Sequence, residues 1–210
     1  KFDLGRVFAG VVGESESNIR KALSLAETIS PSILWIDEIE KGLSGLGSNG
    51  DSGTSSRVFG TLLTWMQEKK SEVFVIATAN DIEKLPAELL RKGRFDEIFF
   101  VDLPTESERE AIFQIHIEKK GRQCSDFKLK DLASKTIGFS GAEIEEAVNE
   151  ALFIAYSEKR EPQQKDIEQA IEGTWPLSRT MQELITKLRQ WAKARAKLAS
   201  EPNTEKIEAD

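Results

Sequence analysis

Three short apolar runs, separated by stretches of helical periodicity, characterise the first half of the chain. They occupy residues 33–36, 73–77 and 98–101, and uninterrupted runs of this length are typical of strands buried on both faces of a parallel sheet. Between the runs, apolar residues recur every three or four positions, as they do in an amphipathic helix. The alternation predicts an α/β fold, a three-layer α/β/α sandwich around a parallel sheet.

The pattern changes at Pro104. Beyond it the periodicity is helical, so we predict an α/β core over residues 1–103 followed by a small all-helical domain over residues 104–176. An apolar stripe then predicts an amphipathic helix over residues 177–199. Docking on the body of the protein is the commonest use of such a stripe, and a partner helix or an anionic membrane are the alternatives. Residues 200–210 lack apolar periodicity and predict a disordered tail.

The composition argues against several classes of function. The 210 residues include 29 basic and 36 acidic side chains, a formal net charge of −7, whereas a general nucleic-acid or anionic-membrane binder carries a basic excess. No apolar run approaches the roughly 18 residues of a membrane helix. A single cysteine, Cys124, allows no internal disulfide and fits a reducing compartment. A single histidine, His116, allows no His-based metal site or Ser-His triad.

Two adjacent acids, Asp37 and Glu38, end the first apolar run. An Asp at the carboxyl end of a buried parallel strand emerges where open α/β sheets bind ligands, and there it can hold Mg²⁺ beside a nucleotide phosphate. The neighbouring Glu38 could polarise a water molecule for in-line attack on a γ-phosphate. The alternative interpretation of this pair is an exposed helix N-terminus, where acids interact favourably with the helix dipole.

Two further polar residues stand next to the other apolar runs. Asn80 follows the second run, where its amide could bond both a phosphate oxygen and the attacking water; the alternative is an ordinary turn asparagine. Arg94 lies in a tight turn just before the third run. An arginine held there could insert into the phosphate site of a neighbouring subunit, and its alternative is a surface cation.

A fourth segment, residues 138–143, opens a helix in the predicted small domain. Ser140 is a good N-cap, and Gly141 and Ala142 leave room for a flat ring to approach the backbone. A capping box between Ser140 and Glu143 would explain most of this segment without any ligand.

Taken in this order, the four segments resemble the AAA family of ATPases, in the clade of membrane-anchored proteases, microtubule-severing enzymes and unfoldases. The matching stretches run from Gly13-Glu14-Ser15-Glu16 to Gly141-Ala142-Glu143 and onward to about residue 176. The sequence over residues 2–19, together with Trp35 inside the first run, is similar to that of the AAA ATPases encoded in algal plastids and cyanobacteria. The resemblance implies a P-loop NTPase core followed by a helical lid.

The resemblance also implies a role for each candidate residue. Asp37 and Glu38 would be the Walker B acids, with Asp37 on Mg²⁺ beside ATP and Glu38 activating water. Asn80 would be the sensor 1 residue and Arg94 an arginine finger acting on a neighbouring subunit. The family further implies a ring, expected to be a homo-hexamer, that remodels a protein partner. Gly141 and Ala142 would lie beside the adenine.

Three features depart from the family pattern. The chain contains no Gly-Lys dipeptide, although a phosphate-binding loop needs Gly-x-x-x-x-Gly-Lys-Ser/Thr. In the family that loop lies upstream of residue 2, so we expect this chain by itself to bind ATP poorly and a longer parent protein to bind it well. Val11 stands where many relatives place a pore aromatic, which argues against peptide threading. Glu97 stands where many relatives carry a second arginine, and we expect it to face solvent or pair with a cation.

Two functions of different classes follow from these features. The first is an ATPase that remodels a protein partner in the cytoplasm of a bacterium or the stroma of a plastid. The second is a catalytically inactive, AAA-shaped subunit with a regulatory or scaffolding role, motivated by the missing phosphate loop and by Glu97. A DNA-loading ATPase shares the sheet motifs, but it would add a basic surface, and the composition gives no strong signal for nucleic acid.

Overall fold

The chain divides into two units, Lys1–Asp96 and Glu97–Asp210, each with its own apolar core. The computed structural model describes residues 2–3, 14–43, 54–91, 93–201 and 203. Val11 and the loop around it, and most of the predicted tail over residues 200–210, lie outside the described residues.

The first unit is built on three parallel strands in the order β1-β2-β3. Residues Ile36 and Ala77 are paired across β2 and β3, so the carboxyl ends of both strands lie at the same edge of the sheet. Short 3₁₀ turns follow β2 and β3. The elements of this unit are β1 (Phe2–Asp3), α1 (Glu14–Thr28), β2 (Ser32–Asp37), α2 (Thr54–Glu68) and β3 (Val73–Ala77).

Among the described residues, the core of this unit lies on one face of the sheet. Leu34 and Ile36 of β2 are buried in one cluster with residues of α1 and α2, while the alternate residues Ile33 and Trp35 are 66% and 41% exposed. Phe74 of β3 is 66% exposed as well. The prediction of strands buried on both faces is therefore wrong for these residues. In the described part of the unit, the core that α1 and α2 share with the strands takes only the alternate side chains.

The third apolar run does not join this sheet in the described structure. Its central residues form β4 (Phe99–Phe100), which pairs in parallel with β5 (Lys197–Leu198) in a separate two-stranded sheet. Main-chain bonds from Lys197 to the carbonyl of Ile98 and from Ala199 to that of Phe100 hold the pair. The run is also exposed, since Phe99 is 60% accessible. The prediction of a third buried strand is wrong here, because an apolar run specifies a strand but not the partner that pairs with it.

The second unit is helical around a core of completely buried side chains, among them Phe113, Leu132 and Ile144. Capping boxes at Thr105 and Ser140 start two of its helices, and each provides acceptors for two backbone N–H groups that the start of a helix leaves unpaired. Its helices are α3 (Glu106–Lys119), α4 (Leu129–Lys135), α5 (Gly141–Ser157), α6 (Gln164–Gly173), α7 (Leu177–Thr180) and α8 (Gln182–Arg195).

The predicted helix over residues 177–199 is divided in the structure. A short α7 is followed by α8, which ends at Arg195, and the chain then extends into β5. The helix α8 docks on its own unit through a buried Ala192 and through the Nε of Arg189, which lies 2.9 and 3.0 Å from the two carboxylate oxygens of Asp102. Of the apolar stripe, Ala192 is thus buried, whereas Met181 and Leu184 are 39% and 40% exposed.

An ion pair between a buried aspartate and a partly exposed arginine ties the end of α5 to the start of α6. Asp166 is 1% exposed, and its two carboxylate oxygens accept from the two terminal nitrogens of Arg160 at 2.5 and 2.6 Å. One of these oxygens also accepts from the backbone of Gln163 at 2.7 Å. The hydrogen bonds from Arg160 are the main cause of a lowered pKa for Asp166.

Replacing Asp166 by Asn is expected to lower the free energy of unfolding of the second unit by about 2 kcal/mol at pH 7, because the charge-assisted bonds from Arg160 are lost. The pKa of Asp166 is lower in the folded chain than in the unfolded chain. The stabilisation is therefore complete above the unfolded pKa of about 4 and is lost as the pH falls through the lower folded pKa. Urea denaturation of both proteins at successively lower pH measures the difference, and a difference that persists at the lowest pH would contradict this assignment.

Candidate functional site

Polar side chains follow β2 and β3 at the edge where both strands end. Asp37 is the last residue of β2, and the residues after β3 begin with Thr78. Because the strands are parallel and Ile36 pairs with Ala77, the next residue of each strand lies beside the other. The structure thus brings the two predicted acids, Asp37 and Glu38, close to the loop that carries Asn80.

Thr78 joins the two loops through both its main chain and its side chain. Its hydroxyl donates to the carboxylate of Asp37 at 2.7 Å and accepts from the backbone nitrogen of Glu38 at 3.0 Å. Its own backbone nitrogen donates to the carbonyl of Ile36 at 2.9 Å, and its carbonyl accepts from Ile39 at 3.0 Å. Four hydrogen bonds from one residue therefore hold the segment that carries the acids.

Glu38 faces the amide of Asn80. The side-chain nitrogen of Asn80 donates to one carboxylate oxygen of Glu38 at 3.3 Å, and Lys41 lies 2.7 Å from the other oxygen. Glu38 has a φ of 49°, a left-handed conformation that costs a non-glycine residue on the order of 1 kcal/mol. Its side chain is 40% exposed, so water can reach this carboxylate. Asp37, Glu38 and Asn80 are called the acid–amide cluster below.

A third acid supports the cluster from within. Glu40 is only 4% exposed, and one of its carboxylate oxygens accepts from the backbone nitrogen of Asn80 at 3.1 Å. Its other oxygen is buried and has no hydrogen-bond partner among the described residues. Glu40 therefore fixes the backbone at Asn80 and leaves the Asn80 side chain able to face Glu38.

Thr78 and Glu40 were not among the residues that the sequence pointed to. Asp37 directly follows the first apolar run, and Thr78 directly follows the second. Because the two strands are parallel and end at the same edge, these equivalent positions were a signal that the two residues are in contact. Glu40 belongs to the acidic stretch 37–40. Its burial depends on how the loop folds back, and the pattern of residues does not encode that feature.

Arg94 lies in a turn, and there its side chain makes a hydrogen bond outside the acid–amide cluster. Its guanidinium donates to the carbonyl oxygen of Glu88 within the same turn, and its Nε is buried without a partner among the described residues. No hydrogen bond or ion pair within the described ranges joins it to Asp37, Glu38 or Asn80.

Gly141 and Ala142 form the first turn of α5 in the second unit. Ser140 and Glu143 make the predicted capping box, and the second carboxylate oxygen of Glu143 accepts from the backbone of Leu177 at 2.6 Å. A Cβ added at Gly141 would meet a side-chain atom at an ordinary 3.7 Å. Packing therefore does not demand a glycine at this position.

The unfavourable charge at Glu97 is compensated. Its carboxylate lies 2.6 Å from the ammonium group of Lys197, which confirms the expectation that Glu97 faces solvent or pairs with a cation.

Cys124 has a raised pKa because it is partly buried and lies close to Glu118, so its thiol is less reactive than an exposed one.

The residues at the edge fit Mg²⁺ only together with a nucleotide. No group of three or more His, Cys, Asp or Glu side chains in the described part of the chain could hold a metal ion. Mg²⁺ commonly takes one or two carboxylates and completes its shell with phosphate oxygens and water, and Asp37 can supply such a carboxylate. None of the helices among the described residues combines the length and the apolar composition that a bilayer-spanning helix needs.

Comparison with known proteins gives matches in both units. The profile of the ATPase family associated with various cellular activities (AAA) matches residues 1–103, and that of the AAA+ lid domain matches residues 126–169. These matches support the predicted fold class, a P-loop NTPase α/β fold followed by a helical lid.

Individual relatives are similar over most of the chain. It is 52% identical over 202 residues to the uncharacterised AAA domain-containing protein ycf46 of Guillardia theta, covering 95% of this chain and 40% of that protein. The protein of the same name from Pyropia yezoensis is 53% identical over 193 residues, covering 91% and 39%. The ATP-dependent zinc metalloprotease FtsH of Aster yellows witches'-broom phytoplasma is 38% identical over 156 residues, covering 73% and 22%. The chain thus spans about two fifths of the length of its ycf46 relatives.

Replacing Glu40 by Ala is expected to lower the free energy of unfolding of the first unit by about 1–3 kcal/mol, because the backbone N–H of Asn80 loses its acceptor. The variant Glu40→Gln keeps a carbonyl oxygen there and is expected to lose less than half as much. Urea denaturation followed by tryptophan fluorescence measures both. Equal losses in the two variants would contradict a hydrogen-bonding role and would point to the negative charge instead.

Proposed function

The chain belongs to the AAA family of ATPases, and we propose that its acid–amide cluster forms part of a site that hydrolyses ATP. The observation that carries the proposal is the 3.3 Å contact between the carboxylate of Glu38 and the amide of Asn80, at the sheet edge where open α/β folds bind ligands. ATP hydrolysis requires a ligand for Mg²⁺ close to a group that positions the attacking water, and in this proposal Asp37 supplies the first and Glu38 with Asn80 the second.

Each residue of the cluster has a distinct role in this proposal. Asp37 would hold Mg²⁺ beside the phosphates of ATP, and the bound ion would supply positive charge that offsets the negative charge of the phosphate oxygens. Glu38 accepts a proton from the attacking water, since its carboxylate is open to solvent. Asn80 donates to Glu38 in the structure, and the same amide can orient the water between them.

The remaining roles follow from family membership and concern an assembly. Arg94 acts as an arginine finger on the ATP of a neighbouring subunit in a ring, expected to be a homo-hexamer, which remodels a protein partner. The bond of Arg94 to Glu88 then serves as its resting position. Gly141 and Ala142 lie beside the adenine at the start of α5. The proposed location is a plastid stroma or a bacterial cytoplasm.

The inactive-scaffold alternative loses one of its two motives. It rested partly on Glu97, whose charge would be unfavourable near a phosphate. The pairing of Glu97 with Lys197 at 2.6 Å compensates that charge locally.

Replacing Glu38 by Gln is expected to lower ATP turnover by at least about 100-fold, because the amide cannot accept the proton of the attacking water. Nucleotide affinity is expected to change little, since Asp37 is retained. The measurement is Mg²⁺-dependent phosphate release and nucleotide binding in the longest natural protein that contains this chain. Glu72→Gln is the matched control, because Glu72 is exposed and immediately precedes β3. Unchanged turnover in Glu38→Gln would refute the role of Glu38.

Replacing Arg94 by Ala is expected to lower ATP turnover up to about 1000-fold, because the transition-state charge at the ATP site of the neighbouring subunit is no longer stabilised. Arg91→Ala, in the same turn, is the control. Mixing the inactive Arg94→Ala and Glu38→Gln proteins is expected to restore part of the activity, because some interfaces then combine an intact Glu38 with an intact Arg94. A mixture that stays as inactive as its components would contradict a site shared between subunits.

A further inference from the structure

We propose that Thr78 is a positioning residue for ATP hydrolysis, whose hydroxyl sets the orientation of both acids of the cluster at once. The inference rests on the proposed function of Asp37 and Glu38. It is carried by two hydrogen bonds of a single hydroxyl, one to the Asp37 carboxylate at 2.7 Å and one from the Glu38 backbone nitrogen at 3.0 Å.

The chemistry of a hydroxyl determines what each bond does. A threonine has one O–H donor and two lone pairs, so its single proton goes to Asp37 while a lone pair receives the N–H of Glu38. The first bond fixes the rotation of the Asp37 carboxylate. The second fixes the peptide that enters Glu38. Valine has nearly the same shape as threonine and can make neither bond.

The backbone of Glu38 makes this restraint necessary. Its φ of 49° lies in a region that non-glycine residues occupy only where the surroundings hold them. Without the bond from its N–H, the peptide could relax and turn the Glu38 side chain away from Asn80. A displacement of about 1 Å is enough to lower an enzymatic rate by as much as about 100-fold.

The hydroxyl can be tested separately from the rest of Thr78. Its backbone bonds to Ile36 and Ile39 involve no side-chain atom and survive any replacement of this residue that keeps the fold. The loop that carries Asn80 has its own support in Glu40. Loss of the hydroxyl should therefore affect the two acids while the position of the amide is retained.

The test compares Thr78→Val with Thr78→Ser in the longest natural protein that contains this chain. Thr78→Val is expected to lower turnover about 10- to 100-fold and to raise the Mg²⁺ concentration for half-maximal rate, while nucleotide binding without Mg²⁺ stays the same. Thr78→Ser retains the hydroxyl and is expected to keep most of the turnover. Thr61→Val, which removes a hydroxyl bonded only within α2, is the matched control.

Each outcome decides the matter. If Glu38→Gln abolishes turnover but Thr78→Val does not lower it, the proposal for Thr78 is overturned and the proposed function stands. If Glu38→Gln leaves turnover unchanged, both the proposal for Thr78 and the proposed function are overturned. Equal impairment of Thr78→Val and Thr78→Ser overturns the role of the hydroxyl. Should Thr78→Val fail to fold, the pair Thr78→Ser and Thr78→Ala, which also differ by one hydroxyl, gives the same comparison.

Discussion

The parallel pairing of β2 with β3 is the constraint on which the candidate site depends. Five residue pairs, from Ser32 with Val73 to Ile36 with Ala77, fix the register, so the next residues, Asp37 and Thr78, must lie side by side. A slip of one residue would turn every side chain of one strand to the opposite face. It would also expose Leu34 and Ile36, which are buried. The same burial that stabilises the first unit therefore aligns its polar edge.

Three carboxylates within four residues repel one another unless each has its own partner. Asp37 accepts from the hydroxyl of Thr78, and Glu38 is held by Lys41 and an amide. Glu40 accepts a backbone N–H and is 4% exposed, whereas Glu38 is 40% exposed at its side chain. Solvent reaches Glu38 and is excluded from Glu40. This difference in burial supports a chemical role for Glu38 and a structural role for Glu40.

Much of this arrangement could be predicted from the pattern of residues, and the rest could not for definite physical reasons. The closeness of the acids and Asn80 follows from apolar runs that end in polar residues, because parallel strands end at a common edge. Periodicity does not say which strand pairs with the 98–101 run, and β5 lies about 100 residues away. The bonds of Thr78 are tertiary contacts of a small polar side chain, and such contacts leave no periodic signal.

The segment that follows Arg94 in the chain is held by the C-terminal part of the second unit. Main-chain bonds join Lys197 to Ile98 and Ala199 to Phe100, and Arg189 contacts both carboxylate oxygens of Asp102. The ion pair of Lys197 with Glu97 is exposed at both ends, and such pairs contribute little to stability. The half-buried pair of Asp102 and Arg189 and the β4–β5 bonds therefore provide most of the restraint. These contacts all lie within the second unit, which begins at Glu97, three positions after Arg94.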